Sequence, residues 1–301
     1  MMLIAGAVPV KDMPLVMGQV TAEGDYLLVD GSRIPCTQGT AAMVSAALAT
    51  TGYLGIDAPY ALLAGDIGEG KGSRDIYNYL IENVAELSPD VLALHYWLPD
   101  MSQTRQLCAA VEKCKKRPLM IADAASMYSA KAAGLAEAFD IFTPDASEIA
   151  FLADPDATHP AYIARHLFET DINRTPQLVE AAYKNHGAAR LLLAKGATDY
   201  IIRDGKILAT VTEPDVPQLE AIGGTGDTIT GLLSALVYAE LEPDEAAIIA
   251  ARANRMAGKY AAVTPATRVG QIIAQFPSVF KDYLCQWSNV CYVKGGENQN
   301  G

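Results

Sequence analysis

The chain is poor in cysteine, in aromatic residues and in positive charge, and each shortage removes a class of function. Its five cysteines, Cys36, Cys108, Cys114, Cys285 and Cys291, are odd in number, scattered and never spaced Cys-x-x-Cys. Neither a disulfide framework nor a zinc site is indicated. Aromatic residues make up only 7% of the chain. No uninterrupted apolar run reaches the roughly 18 residues of a membrane span. Lys and Arg total 23 against 35 Asp and Glu, for a formal net charge of −12. The densest basic cluster, Lys113, Lys115, Lys116 and Arg117, suits a solvated helix end, so neither nucleic acid nor a membrane is an expected partner. The opening Met1-Met2-Leu3-Ile4-Ala5-Gly6 lacks the basic region and long apolar core of a signal peptide, and a cytoplasmic location is expected.

Apolar residues are abundant: 50% of 301 residues are hydrophobic, enough for a large core. We expect one domain over residues 1–293, beginning with a β-hairpin, and a disordered tail over 294–301. Tyr26–Val29, the turn signal Asp30-Gly31 and Arg33–Thr37 form that hairpin. The Ala-rich stretch from Gly39 to Thr51 reads as a helix, and Tyr60–Gly65 as a buried strand ending at Asp66. Alternation continues with a helix over Ser73–Leu87 capped by Ser73, a strand Val91–Tyr96, a helix over Ser102–Lys115 and a strand Leu119–Ala122 ending at Asp123. A helix over Lys131–Ala138, a strand Asp140–Phe142, a helix over Pro176–His186 and a strand Ala189–Ala194 running into Lys195-Gly196 follow. The stretch from Ala153 to Thr175 is the least regular. A second hairpin turns at Asp204-Gly205, and a last long helix covers Pro243–Val263. Repeated βα units with nearly continuous apolar strands call for an α/β fold, a mostly parallel sheet covered on both faces. Ligand-facing loops then lie at the strand ends, where Asp66, Asp123 and Lys195 stand.

The densest chemical signal is Ala221-Ile222-Gly223-Gly224-Thr225-Gly226-Asp227-Thr228, which opens an apolar helix. Glycines allow close backbone approach to a ligand, and the helix start aims free N–H groups at it. A carboxylate inside an anion cradle repels what the amides attract, so Asp227 suggests a base beside a transferring phosphoryl group. The plainer alternative is a glycine-rich loop with Asp227 as an N-terminal helix acid. Plainer readings exist elsewhere too. Glu148 suits a helix N-terminus, Asp123 a cap, Lys195 a strand end and Asp66 a loop acid. His95, in an apolar strand before Tyr96-Trp97, reads as a satisfied core histidine rather than a catalytic one.

Four stretches in order resemble one family. These are Leu119-Met120-Ile121-Ala122-Asp123-Ala124, Thr143-Pro144-Asp145-Ala146-Ser147-Glu148, Leu193-Ala194-Lys195-Gly196-Ala197, and Gly224-Thr225-Gly226-Asp227 followed by Ile229-Thr230-Gly231. Together they resemble the ribokinase-like superfamily of small-molecule kinases, and within it the ADP- or ATP-dependent NAD(P)H-hydrate dehydratases. The resemblance implies a ribokinase-like three-layer α/β/α sandwich. It implies ATP or ADP and Mg²⁺, with Asp227 as catalytic base and the amides of Gly224, Thr225 and Gly226 as an anion hole. By the same resemblance Lys195 and Gly196 bind nucleotide, Glu148 organises magnesium and phosphate, and Gly39, Asp66 and Asp123 lie toward the substrate.

One departure is Asp145-Ala146-Ser147, where the dehydratases have His-Pro-Gly. Three functions therefore stay open: repair of hydrated NAD(P)H, phosphorylation of a sugar or vitamin-precursor alcohol, and non-catalytic nucleotide sensing. The Tyr283-Leu284-Cys285-Gln286-Trp287 segment would either seal a homo-oligomer contact or pack on the chain's own sheet.

Overall fold

The computed structural model describes residues 1–158 and 175–288. The expected tail, Cys291 and most of the irregular 153–175 stretch lie outside that range. The chain opens with strand β1 (Met2–Val8), the short strands β2 (Val16–Gln19) and β3 (Thr21–Glu23), and the hairpin β4 (Tyr26–Val29) and β5 (Ser32–Pro35). Helix α1 (Thr40–Leu54), β6 (Tyr60–Gly65), α2 (Lys71–Leu87), β7 (Val91–His95), α3 (Met101–Val111) and β8 (Leu119–Asp123) follow. Next come α4 (Ala125–Ala132), β9 (Ile141–Phe142), α5 (Ala146–Ala153), α6 (Thr175–Lys184), β10 (Leu191–Ala194), β11 (Asp199–Arg203) and β12 (Lys206–Val211). The C-terminal half closes with α7 (Thr225–Tyr238), α8 (Pro243–Tyr260), α9 (Val269–Ile273) and α10 (Phe276–Trp287).

Nine strands form one sheet in the order β12-β11-β10-β9-β8-β7-β1-β6-β2, and β3-β4-β5 form a small second sheet. The run from β6 to β10 is parallel; β2 and β11 flank it antiparallel, and β12 pairs antiparallel with β11. Alternation along the strands sends Leu62, Leu92, Met120 and Leu192 to one face, where they meet Ile76 and Leu80 of α2, Leu107 of α3 and Phe151 of α5. Leu63, Ala93, Ile121 and Leu193 point to the other face, against α1, α7 and α8. Both faces are thus buried, which is why the strands read as unbroken apolar runs.

Three expectations are corrected. The chain begins with a strand and not with the expected hairpin: Met2–Val8 is fully buried between β6 and β7. The helix expected over Lys131–Ala138 lies earlier, over Ala125–Ala132, with only a short 3₁₀ turn at Ala136–Ala138. Ser73 does not cap α2; Gly70 holds the cap position, and Ser73 donates both its amide and its hydroxyl to Asp66. In α10, Tyr283 and Trp287 stack at 5.2 Å and lean on the chain's own core.

The topology places the crevice. The chain passes from β1 to β6 on one side and then crosses to β7 on the other, so the carboxyl ends of β1 and β7 flank a point where strand order reverses, the usual ligand position in open parallel sheets. His95 and Asp123 end β7 and β8 in register with each other.

Candidate active site

The glycine cradle turns at a position that requires glycine. Gly224 has φ +98°, and a Cβ there would come within 3.2 Å of Ala42, Gln38 and Val269. The helical ladder of α7 begins only at Thr228, whose amide donates to Gly224 O at 3.0 Å. Thr225 N–H is partly turned inward, 3.5 Å from Ile222 O, and its hydroxyl ties down the loop through Leu219 O and Ile222 O. The amides of Gly224, Gly226 and Asp227 have no acceptor among the described residues. These are the orphan donors of a helix start, and they suit an anion. Asn254 of α8 locks this turn, accepting from Thr228 Oγ1 at 2.7 Å and donating to Thr225 O at 3.2 Å.

Asp227 stands in the first turn of α7. Its Oδ2 accepts from Gly39 N–H at 2.7 Å and its Oδ1 lies 2.9 Å from His95 Nε2. Burial pushes its proton affinity up, but the His95 hydrogen bond and charge, Lys195 and the Gly39 amide outweigh it and hold the carboxyl at about 2. Gly39 therefore reaches the site by positioning Asp227 through its backbone. His95 is buried, as expected of a core histidine, but its partner is the acid of the glycine loop. That correction was invisible in sequence because 132 positions separate the pair.

Lys195 follows β10 and extends beside the cradle, its Nζ 3.6 Å from where a Cβ on Gly226 would sit. Both oxygens of Asp123 accept from it, at 2.9 and 3.0 Å. Burial disfavours its charge, but Asp123, Glu148 and Asp227 more than compensate and push its proton affinity above that of a free lysine. Asp123 also accepts from Thr230 Oγ1 at 2.5 Å and from the Ala124 amide at 2.8 Å. With its side chain 2% exposed, Asp123 lines the cavity and holds the Lys195 ammonium there. His95, Asp123 and Asp227 offer ligand atoms within 4.8 Å of one another, and of these Asp123 pairs with the Lys195 ammonium.

Two further expectations shift. Asp66 accepts from the Gly68 and Gly70 amides with Oδ1 and from the amide and hydroxyl of Ser73 with Oδ2. Its four lone pairs are taken up by the loop before α2. Gly196 lies in the cavity wall, yet its amide donates to Asp199 and its carbonyl accepts from Arg255. Arg255 of α8 completes that buttress with a 2.7 Å bond to Asp199 and contacts to Ala197 O and Thr212 O.

Glu148 completes a capping box with Asp145: its Oε2 accepts from the Asp145 amide at 2.7 Å, and Asp145 Oδ1 from the Glu148 amide at 2.8 Å. Tyr128 donates to its other oxygen. Burial, then the Asp145 charge, pushes the Glu148 carboxyl up to about 8. The surrounding cavity, about 610 Å³, runs from Tyr96 past Glu148 and Lys195 to Val216, Leu219 and Asn254, with the Gly226-Asp227 helix start in its wall. A space of that size accepts a nucleotide-sized ligand. Acids outnumber bases in its lining, so a phosphate chain would need a hard cation, for which Asp145 and Glu148 supply oxygen donors.

The NAD(P)H-hydrate dehydratase family model matches residues 81–274. An uncharacterized protein of Methanocaldococcus jannaschii is 38% identical over 242 residues, covering 80% of this chain and all of that protein. The ADP-dependent (S)-NAD(P)H-hydrate dehydratase of Nitrosopumilus maritimus is 39% identical over 87 residues, 29% of either chain. The ADP/ATP-dependent NAD(P)H-hydrate dehydratase of Bacillus subtilis, co-crystallized with ATP/Mg²⁺, shares the fold with a TM-score of 0.56 at 13% identity, over 93% of this chain and 89% of its own. The mostly parallel sheet with helices on both faces is the ribokinase-like fold. With the family model spanning most of the chain, this protein belongs to the NAD(P)H-hydrate dehydratase family.

Proposed function

We propose that the protein restores hydrated NAD(P)H by nucleotide-dependent dehydration, through phosphoryl transfer to the ring hydroxyl. The observation that carries this reading is the joint placement of Asp227, the open Gly226 amide and the Lys195 ammonium at one cavity wall. Asp227 accepts the proton of the attacking hydroxyl and orients it. The amides and Lys195 take up the charge that spreads over the transferring group. A carboxylate held near 2 is a weak base, which suits a loose transition state in which the hydroxyl becomes acidic late and positioning counts most. The oxygen–phosphorus bond to the acceptor forms as that to the nucleotide breaks. Loss of phosphate with a ring proton then regenerates the dihydronicotinamide.

Asp145 and Glu148 would hold Mg²⁺. Such an ion supplies charge neutralisation between phosphate oxygens. Lys195 and the wall from Val216 to Asn254 receive the donor nucleotide, ATP or ADP. A second reading, a kinase for a sugar or vitamin-precursor hydroxyl, is favoured by Asp145-Ala146-Ser147 standing in place of His-Pro-Gly. The same base, amides and lysine serve both outcomes. The deciding assay is recovery of NADH absorbance from its hydrate with Mg²⁺ and either ATP or ADP. Recovery identifies the dehydratase and its donor; formation of a stable phosphate ester on another alcohol, with no recovery, selects the kinase.

A further inference from the structure

His95 ends β7 with no solvent exposure and sits at the centre of a hydrogen-bonded line joining three elements. Thr40 of α1 has a single hydroxyl proton, and 2.7 Å away is Ala7 O, which has none to give. The hydroxyl therefore donates to Ala7 O, and the Thr40 oxygen, 2.9 Å from His95 Nδ1, accepts from the ring. At the other end, Asp227 Oδ1 lies 2.9 Å from Nε2, and an ionised carboxylate only accepts. Both ring nitrogens thus act as donors. Asp123 Oδ2, 4.0 Å from Nε2, adds a second negative charge, itself neutralised by Lys195. The Tyr96 ring stacks on the imidazole with centroids 5.6 Å apart. The groups facing the ring are therefore Asp227 from α7, Asp123 from β8 with its Lys195, Thr40 from α1, and Tyr96 from its own strand end.

We propose that His95 is the positioning residue of this site: a doubly donating imidazole strung between Thr40 and Asp227, it fixes the Asp227 carboxylate in its ionised form with the remaining lone pairs turned to the cavity. Gly39 N–H fixes the other oxygen, so the carboxylate plane is set from two sides. This inference rests on the reading of Asp227 as the group that receives the acceptor's hydroxyl. It adds a residue outside the four stretches that carry the family resemblance.

The test uses the full chain labelled with ¹³C at aspartate carboxyls, the Asp227 resonance being the one lost in Asp227→Asn. In the native protein that carboxylate stays ionised down to about pH 3. In His95→Gln, which keeps an amide donor but no charge, its midpoint moves up by at least about one pH unit. Under saturating substrate, kcat of His95→Gln falls at least about tenfold while the nucleotide KM stays within about twofold, as expected for lost orientation at the reacting group. Should His95→Gln not fold, Thr40→Val, which removes the acceptor for Nδ1–H at nearly constant volume, and ¹⁵N spectra of the native His95 ring replace it. The expected spectrum shows both ring nitrogens protonated and, in Thr40→Val, an upward Asp227 shift. An unmoved Asp227 titration, a ring with one bare nitrogen, or equal losses in kcat and nucleotide affinity would overturn the inference. Because the titration needs no substrate, a native protein that fails to recover NADH while Asp227 still shifts overturns the dehydratase reading alone.

Discussion

The Lys195 ammonium is held by both oxygens of Asp123, at 2.9 and 3.0 Å, in a pair whose side chains are 11% and 2% exposed. Breaking such a pair from one side leaves an uncompensated buried charge, which costs about 3–5 kcal/mol, whereas removing both partners is far milder. Asp123→Asn and Lys195→Met should each lower the urea midpoint strongly, and the double variant should lose less than the sum of the two. Lys195→Met should also weaken nucleotide binding, measured by calorimetry, because Lys195 stands beside the Gly226 amide. Additive stability losses would show that the two groups do not compensate each other.

Asp227→Asn should lose turnover by at least about a hundredfold with nucleotide affinity largely kept, as expected when the group that accepts the acceptor's proton is removed. Asparagine can still accept from Gly39 and is nearly isosteric, so the loop should hold. The check is the NADH-recovery rate beside nucleotide titration of the same variant. Near-native turnover would remove Asp227 from the chemistry.

The position of these residues could be read from sequence because strand ends are where a parallel sheet binds ligands, and Asp123 and Lys195 follow apolar runs. Their partners could not. Whether Asp123 faces a ligand or a lysine depends on contacts across 72 positions, and the His95–Asp227 pair on contacts across 132. β1 is not legible because Met2–Val8 mixes glycine and alanine with few β-branched residues, and only the register with Tyr60–Gly65 and Val91–His95 makes it an interior strand of the sheet. α4 was placed late because its start has no side-chain cap: Ala124, at φ +50°, occupies the cap position.

Asp66 gives a pH dependence of definite sign. Burial alone would raise its carboxyl, but the Ser73 hydroxyl and amide and the Gly70 and Gly68 amides overcome this and hold it at about 2. The folded value is therefore below the unfolded one. Its contribution to stability is present above the unfolded carboxylate range, near 4, and is lost as pH falls toward 2. Thermal melts of Asp66→Asn against the native chain should differ most at neutral pH and converge in acid. A constant difference across that window would mean the four bonds do not depend on the charge.

Tyr96 carries an aromatic side chain in left-handed backbone, φ +48°, with 61% of its surface exposed at the cavity mouth. Such a conformation costs on the order of 1–2 kcal/mol and concentrates at functional positions. Tyr96→Gly relieves it, so the variant should be as stable as the native chain or more so. It also removes the ring that stacks on His95 and lines the cavity, so KM for the acceptor should rise. Opposite signs in a melting experiment and in steady-state kinetics are the expected signature. A variant that loses stability and keeps KM would make the ring a packing element.

Gly231 links helix packing to the site. A Cβ on it would lie 2.1 Å from Met43 O, a backbone atom of α1 that cannot swing away, so α7 and α1 touch at this point only because the residue is glycine. Gly231→Ala must push the helices apart, and overpacking of this kind costs about 1–3 kcal/mol. Asp227 sits one turn earlier on α7, and Thr40 and the Gly39 amide open α1. A rigid shift of either helix therefore lengthens the bonds that fix the carboxylate, and misplacement by about 1 Å can cost a hundredfold in rate. The variant should lose kcat, and nucleotide affinity should fall with it, because the cavity wall includes Thr225 and Gly226 of the same helix and Asn254 tied to it. Loss of stability with native kcat would show that the site tolerates movement of α7 against α1.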